Sequence, residues 1–153
     1  MNVSEQGFAR NGNTEIYYEV FDHRGFELKG TVLFINGLGS QMIKFRVDWL
    51  QKFAQAGFRC IRIDNRDVGL SSKTRGKPPA FALALESLLS GDEAAVNSAY
   101  ELTDMASDCL VVLDETSTER AHIWGASMGG MIAQTFAAIY PDRTETLTSV
   151  MST

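Results

Sequence analysis

Apolar and polar residues change rhythm several times along this chain, and each change predicts an element. Phe8-Ala9-Arg10 and Glu15 to Val20 flank Asn11-Gly12-Asn13, which predicts a β-hairpin with an Asn-Gly turn. Phe21 to Gly30 is polar and makes a second reversal. Thr31 to Ile35 is a continuous apolar run, the pattern of a strand buried on both faces of a parallel sheet. Val47, Leu50, Phe53 and Ala54 form a helical stripe that stops at Gly57 in the C′ position. Phe58 to Asp64 reads as a further strand, and Lys73 to Pro79, basic with two prolines, as a linker-like segment. Phe81 to Tyr100 mixes apolar patches with Gly91 and acidic residues, which predicts short covering helices. Thr103 can cap a helix whose apolar face carries Met105, Cys109, Val112 and Leu113. A short apolar strand follows from Ala121. Met131, Ile132, Thr135, Phe136 and Ile139 then repeat at helical spacing until Tyr140-Pro141 ends the helix. Thr146 to Met151 reads as one more strand. Strands alternating with helices after an antiparallel start predict an α/β sheet with right-handed crossovers. Its functional loops belong at the C-terminal ends of the strands.

Composition narrows the class. A length of 153 residues suits one domain with a real core, and 44% hydrophobic with 22% charged residues is ordinary for a soluble globular protein. A net charge of -5 without a Lys/Arg cluster argues against nucleic acid. Met1 to Gln6 contains no apolar run, and no stretch reaches membrane-spanning length, so neither a secretory leader nor a membrane anchor is expected. Cys60 and Cys109 fall at apolar positions and read as reduced core residues, with no metal or redox spacing. The expectation is a cytoplasmic protein without metal or organic cofactor.

Candidate chemistry concentrates in Gly125-Ala126-Ser127-Met128-Gly129-Gly130. Glycines two before and two after a serine, between a strand and a helix, make a nucleophile elbow. The sharp turn leaves no room for neighbouring Cβ atoms. The helix that follows points its positive end at the serine, and the Met128 N–H can face a developing oxyanion. Asn36-Gly37-Leu38-Gly39-Ser40 forms a second glycine-rich loop at a strand end. It is either an ordinary βα turn or the source of a second oxyanion donor, with the Leu38 N–H best placed for that. Asp64 and Asp67 have the look of paired carboxylates for acid/base work. Arg62 and Arg66 beside them favour turn-stabilising ion pairs instead.

Taken together, Asn36 to Gly39, Asp64-Asn65-Arg66-Asp67-Val68-Gly69-Leu70-Ser71 and Gly125 to Gly130 resemble the α/β-hydrolase superfamily. The wording is closest to the carboxylic-ester hydrolases that include the aclacinomycin methylesterases. The resemblance spans about Phe8 to Thr153. It implies Ser127 as nucleophile, the backbone N–H groups of Met128 and Leu38 as the oxyanion hole, and Gly125 and Gly129 as elbow glycines. Asn36 stands where many relatives carry His. Because the hole uses backbone donors, that change should tune the loop rather than abolish it. Serine rather than Asp at the elbow argues against a dehalogenase or an epoxide hydrolase.

The resemblance also implies eight strands, a helical cap after the sixth, and a catalytic acid and histidine later still. Residues 1–153 then read as a partial core domain of about six strands, the N-terminal half of a hydrolase, with the general base and acid absent from this chain. His122 lies five residues before Ser127 on a strand, about 15 Å away at roughly 3.3 Å per residue. His23 falls in the turn at the opposite end of the sheet. Neither can serve as base. Alone, the chain is expected to be inactive, because an alcohol without a base is a poor nucleophile at neutral pH. The sixth strand would be an open edge, to be covered by a companion C-terminal chain or by self-association. The expected function is acyl transfer from a small-molecule ester to water through Ser127 once the other half is present. One rival is a non-catalytic half-domain that works by association. Another, within the same fold, is a cofactor-free perhydrolase or a carbon–carbon bond hydrolase.

Overall fold

The computed structural model describes residues 3–25, 27–74, 89–90 and 98–153. Six strands form one sheet: β1 (Glu5–Asn11), β2 (Thr14–Phe21), β3 (Gly30–Ile35), β4 (Phe58–Ile63), β5 (Ala121–Ala126) and β6 (Thr144–Val150). Three α-helices described over their full length lie between them: α1 (Val47–Gln55), α2 (Leu102–Glu115) and α3 (Met128–Ile139). The strand order is β1-β2-β4-β3-β5-β6. β2 pairs antiparallel with both β1 and β4, and every pairing from β4 to β6 is parallel. The expected α/β sheet with an antiparallel start is therefore present. The hairpin turns at Gly12, whose φ of 59° favours a residue without a Cβ.

Alternation along the strands assigns the helices to faces. Leu33 and Ile35 of β3 and Ile61 and Ile63 of β4 point into a core shared with Ala106, Cys109, Val112 and Leu113 of α2 and Ile132, Ala133 and Phe136 of α3. Val32, Phe34 and Cys60 point the other way, onto Leu50, Trp49 and Phe53 of α1. β3 is thus buried on both sides, as its apolar run requires. On the α1 face Phe34 is ringed by Phe45, Trp49, Phe53 and Trp124, with centroids 5.1–5.9 Å away. Each such pair adds about 0.5–1.5 kcal/mol beyond its burial. α1 ends at Gly57, which has φ 98° and donates its N–H to the Ala54 carbonyl.

Two details depart from the sequence reading. Thr103 does not cap α2. Glu101 does, accepting from the N–H of Asp104, whose carboxylate accepts the Glu101 N–H at 2.8 Å. A reciprocal box of carboxylates satisfies two helix-end donors and opposes the positive end of the helix, so the helix starts before the threonine. The face of α3 is also rotated. Gly129, Gly130, Ile132, Ala133 and Phe136 are buried, whereas Met131 and Ile139 are 36% and 46% exposed. The linker-like segment beyond Thr74 and most of the covering helices expected over Phe81 to Tyr100 lie outside the described residues.

Cys60 and Cys109 are free and buried, and burial pushes the Cys60 thiol up to about 12 and Cys109 higher still. Neither should react with a water-soluble disulfide reagent at pH 8 in the folded protein, and both should react in denaturant. Labelling of the folded chain within minutes would contradict this packing. Among the described residues, no helix is long and apolar enough to cross a membrane.

Candidate active site

Ser127 sits between β5 and α3 with φ 54° and ψ -127°, a backbone conformation that L-residues rarely adopt. The turn is held from below by β6. The parallel ladder runs from Ala121 to Ala126 against Thr144 to Val150, and the Ser127 N–H extends it by donating to the Val150 carbonyl at 2.9 Å. From above, the Ser127 carbonyl accepts the N–H groups of Gly130 (2.8 Å) and Met131 (3.3 Å), which starts the helix. The side chain caps nothing and is exposed.

The glycines are there because backbone crosses backbone. A Cβ on Gly125 would lie 2.0 Å from the Gly129 carbonyl oxygen. One on Gly129 would lie 2.2 Å from the Ile35 oxygen and 2.6 Å from the Asn36 oxygen. This crossing also explains the rotated face of α3: the elbow presses its glycine side against the end of β3, which turns Met131 outward. Gly37 completes the enclosure, since a Cβ there would lie 3.1 Å from Cβ and 3.5 Å from Oγ of Ser127.

The loop after β3 therefore lies directly against Ser127. It turns through Gly39, at φ 64°, with the Ser40 N–H donating to the Gly37 carbonyl at 3.2 Å. The Leu38 side chain is 80% exposed. Among the described residues neither the Leu38 N–H nor the Met128 N–H has a hydrogen-bond acceptor. The Ser127 N–H is already committed to Val150, so the first N–H of α3 open to a ligand is that of Met128. Both amides are therefore unspent.

The loop after β4 does a different job from the one its sequence suggests. Asp64 and Asp67 do not pair with Arg62 and Arg66. Arg62 donates to Glu19, at 2.8 Å through Nε, and Arg66 grips Asp108 at 2.6 and 2.7 Å while lying 4.9 Å over the Tyr100 ring. The Asp64 carboxylate instead accepts the N–H of Met42 at 2.8 Å and of Leu70 at 3.0 Å. A Cβ on Gly69 would collide with that carboxylate. Asp67 accepts from Thr74 and from the Tyr100 hydroxyl. Burial would raise its pKa, but these hydrogen bonds outweigh burial and lower it. Asn65 was not singled out by the sequence, yet its amide donates to the Asn36 carbonyl at 2.8 Å.

Both histidines lie away from this cluster. His122 is paired in register with Val32, toward the start of β3, and shares a hydrogen bond of 2.8 Å with the Thr146 hydroxyl. Its ring meets Phe58 edge-on at 5.6 Å. His23 precedes Arg24, whose N–H donates to Ala54 at the C-terminal end of α1. The sequence contains no other histidine.

The family described as alpha/beta hydrolase fold matches residues 30–153. The chain belongs to it. The α/β hydrolases similar to this chain include a Variovorax paradoxus protein named as a carbamate hydrolase, RutD, 30% identical over 135 residues that make up 88% of this chain and 41% of the relative. Rhodomycin D methylesterase DauP of Streptomyces is 32% identical over 104 residues, 68% of this chain and 28% of its own length. Among solved α/β hydrolases, the enol-lactonase from Burkholderia xenovorans superposes with a TM-score of 0.65 at 26% identity, over 91% of this chain and 44% of that one. The chain spans less than half the length of each. A methylesterase among the relatives agrees with the branch to which the sequence motifs point.

Proposed function

We propose that this chain carries the nucleophile of a serine carboxylic-ester hydrolase, with Ser127 in that role. The observation that carries the reading is the conjunction at Ser127: a strained φ of 54° on an exposed residue, the unspent N–H of Met128 next in the chain, and the unspent N–H of Leu38 in the loop whose Gly37 packs against Ser127. Strain of this kind costs about 1–3 kcal/mol and persists where the surrounding structure needs the side chain presented. A carbamate, a methyl ester and an enol lactone, the substrates in the names of the three relatives described above, all offer a carbonyl carbon bearing a leaving group.

In the proposed reaction the Ser127 oxygen attacks the ester carbonyl as its proton passes to a histidine. The carbonyl electrons move onto oxygen and are held by the Met128 and Leu38 amides. Collapse expels the alcohol, which takes the proton from the histidine, and leaves an acyl group on Ser127. Water then attacks that acyl group with the same histidine as base, which releases the acid and restores the serine. His23 and His122 lie at the wrong end of the sheet, so the base comes from outside these 153 residues. The same surroundings would cover β6, an edge strand of the sheet, with Leu147 exposed on it and Met151 exposed just beyond it. The histidine would come with that cover, either from a companion chain or from further sequence of the same protein. No metal or organic cofactor enters this chemistry.

A second reading, a half-domain that works only by association, draws on the same open edge and the distant histidines. Native material assayed with short-chain p-nitrophenyl and methyl esters, beside a peroxide-dependent halogenation assay, separates the readings. Ester turnover that exceeds halogenation and stops with a serine-directed phosphonate supports the esterase. Folded, homogeneous material without either activity supports association. Halogenation without ester turnover moves the chain to perhydrolysis.

A further inference from the structure

The pair Asp64-Asn65 has no place in the proposed chemistry, yet both side chains are buried, and both reach out of the loop after β4 to the loop that carries Leu38. We infer that Asn65 and Asp64 are positioning residues for the oxyanion hole, clamping the two ends of the Asn36 to Met42 loop so that the Leu38 N–H is aimed before substrate arrives. This rests on the proposed roles of Ser127 and Leu38.

The contacts bracket the loop. At its start, the Asn65 amide donates to the Asn36 carbonyl at 2.8 Å. That same oxygen faces Gly129, where a Cβ would come within 2.6 Å, so Asn65 also keeps the carbonyl seated against the elbow. At its end, one Asp64 oxygen takes the Met42 N–H at 2.8 Å while the other takes the Leu70 N–H at 3.0 Å. Inside the bracket, the Asn36 side chain donates across the loop to the Gln41 carbonyl at 3.1 Å, and Gly37 touches Ser127. Asp64 is held in turn by its neighbours: its own carbonyl accepts the Ser71 hydroxyl at 2.6 Å, and the Ser71 oxygen accepts the Tyr17 N–H at 2.8 Å. The anchor therefore reaches from β2 through Ser71 to β4, a rigid part of the sheet. A donor on an exposed loop helps a transition state only if it is already oriented, because reorientation during the reaction would consume the stabilisation.

Asn65→Asp is nearly isosteric but sets a carboxylate oxygen against the Asn36 carbonyl. In the native esterase it should lower kcat about 10- to 100-fold, less than or comparable to deleting one oxyanion donor, with KM within about twofold. Affinity for a trifluoromethyl ketone, whose hemiketal with Ser127 bears an oxyanion, should fall by a similar factor. Asp64→Asn, which keeps one acceptor oxygen of two, should move the same quantities in the same direction. Asn65→Ala, which leaves space rather than repulsion, replaces Asn65→Asp if the latter does not fold. Folded variants with unchanged kcat and unchanged ketone affinity would overturn the inference. So would variants whose kcat and KM worsen together in step with a lowered unfolding midpoint, since that is the signature of general loosening. Should Ser127→Ala retain turnover, the nucleophile assignment falls instead. The clamp is then judged by the amide resonances of Leu38 and Gly39, which must shift in Asn65→Asp while those of α2 stay in place.

Discussion

Ser127→Ala is expected to cut ester turnover by the native enzyme at least about 10⁴-fold while leaving its stability within about 0.5 kcal/mol of the parent. The first half follows from chemistry: with the hydroxyl gone, only the Met128 and Leu38 amides remain to favour the tetrahedral state. The second follows from exposure, since the Ser127 side chain caps nothing in the structure. Ser127→Gly sharpens the test. It should be equally inactive yet more stable than the parent by about 1 kcal/mol, because glycine relieves the strain of φ 54° and ψ -127°. Urea midpoints beside initial rates check both variants. A Ser127→Gly protein no more stable than its parent would place the strain elsewhere, and residual turnover above 1% in Ser127→Ala would remove serine catalysis from the mechanism.

Gly129→Ala should be severely damaging, costing at least about 4 kcal/mol and leaving little soluble protein. Its Cβ would enter the space of two backbone oxygens, those of Ile35 at 2.2 Å and Asn36 at 2.6 Å, and neither is the end of a flexible side chain. To yield, β3 and α3 would have to separate, which would pull apart Ile35, Ile132 and Ala133 in the core. Gly12→Ala provides the contrast. It too replaces a glycine, at φ 59°, but meets nothing within 4 Å, so it adds only backbone strain of about 1–2 kcal/mol. Denaturant titration of the two variants gives the comparison, and a Gly129→Ala protein within 1 kcal/mol of the parent would mean that the elbow does not press on β3.

The parts legible from sequence are those fixed by near neighbours. Thr31 to Ile35 has no polar position to offer water, so it had to be an interior strand. Asn11-Gly12 and Gly57 mark reversals that few other residues permit, and Gly125 to Gly130 announces a sharp turn. The parts that were not legible depend on contacts distant in sequence. Helix periodicity alone cannot know that the Ile35 carbonyl at the end of β3 presses on Gly129 and the Ser149 and Ser152 side chains on Gly130, and so it put Met131 on the buried face of α3. Charge proximity cannot know that Arg66 has a better partner 42 residues away in Asp108, or that Asp64 is surrounded by backbone amides. Thr103 is the more usual cap by residue type. Glu101 prevails only because Asp104 reciprocates.

The most direct measurement is mass-spectrometric location of a fluorophosphonate adduct on the native protein. If Ser127 is the nucleophile, the peptide spanning Ala121 to Arg143 gains one phosphonyl group on Ser127, at a rate that parallels loss of ester turnover, and the adduct is missing from denatured protein and from Ser127→Ala. Complete loss of turnover with that peptide unmodified, or with the adduct on another residue, would contradict the assignment of Ser127.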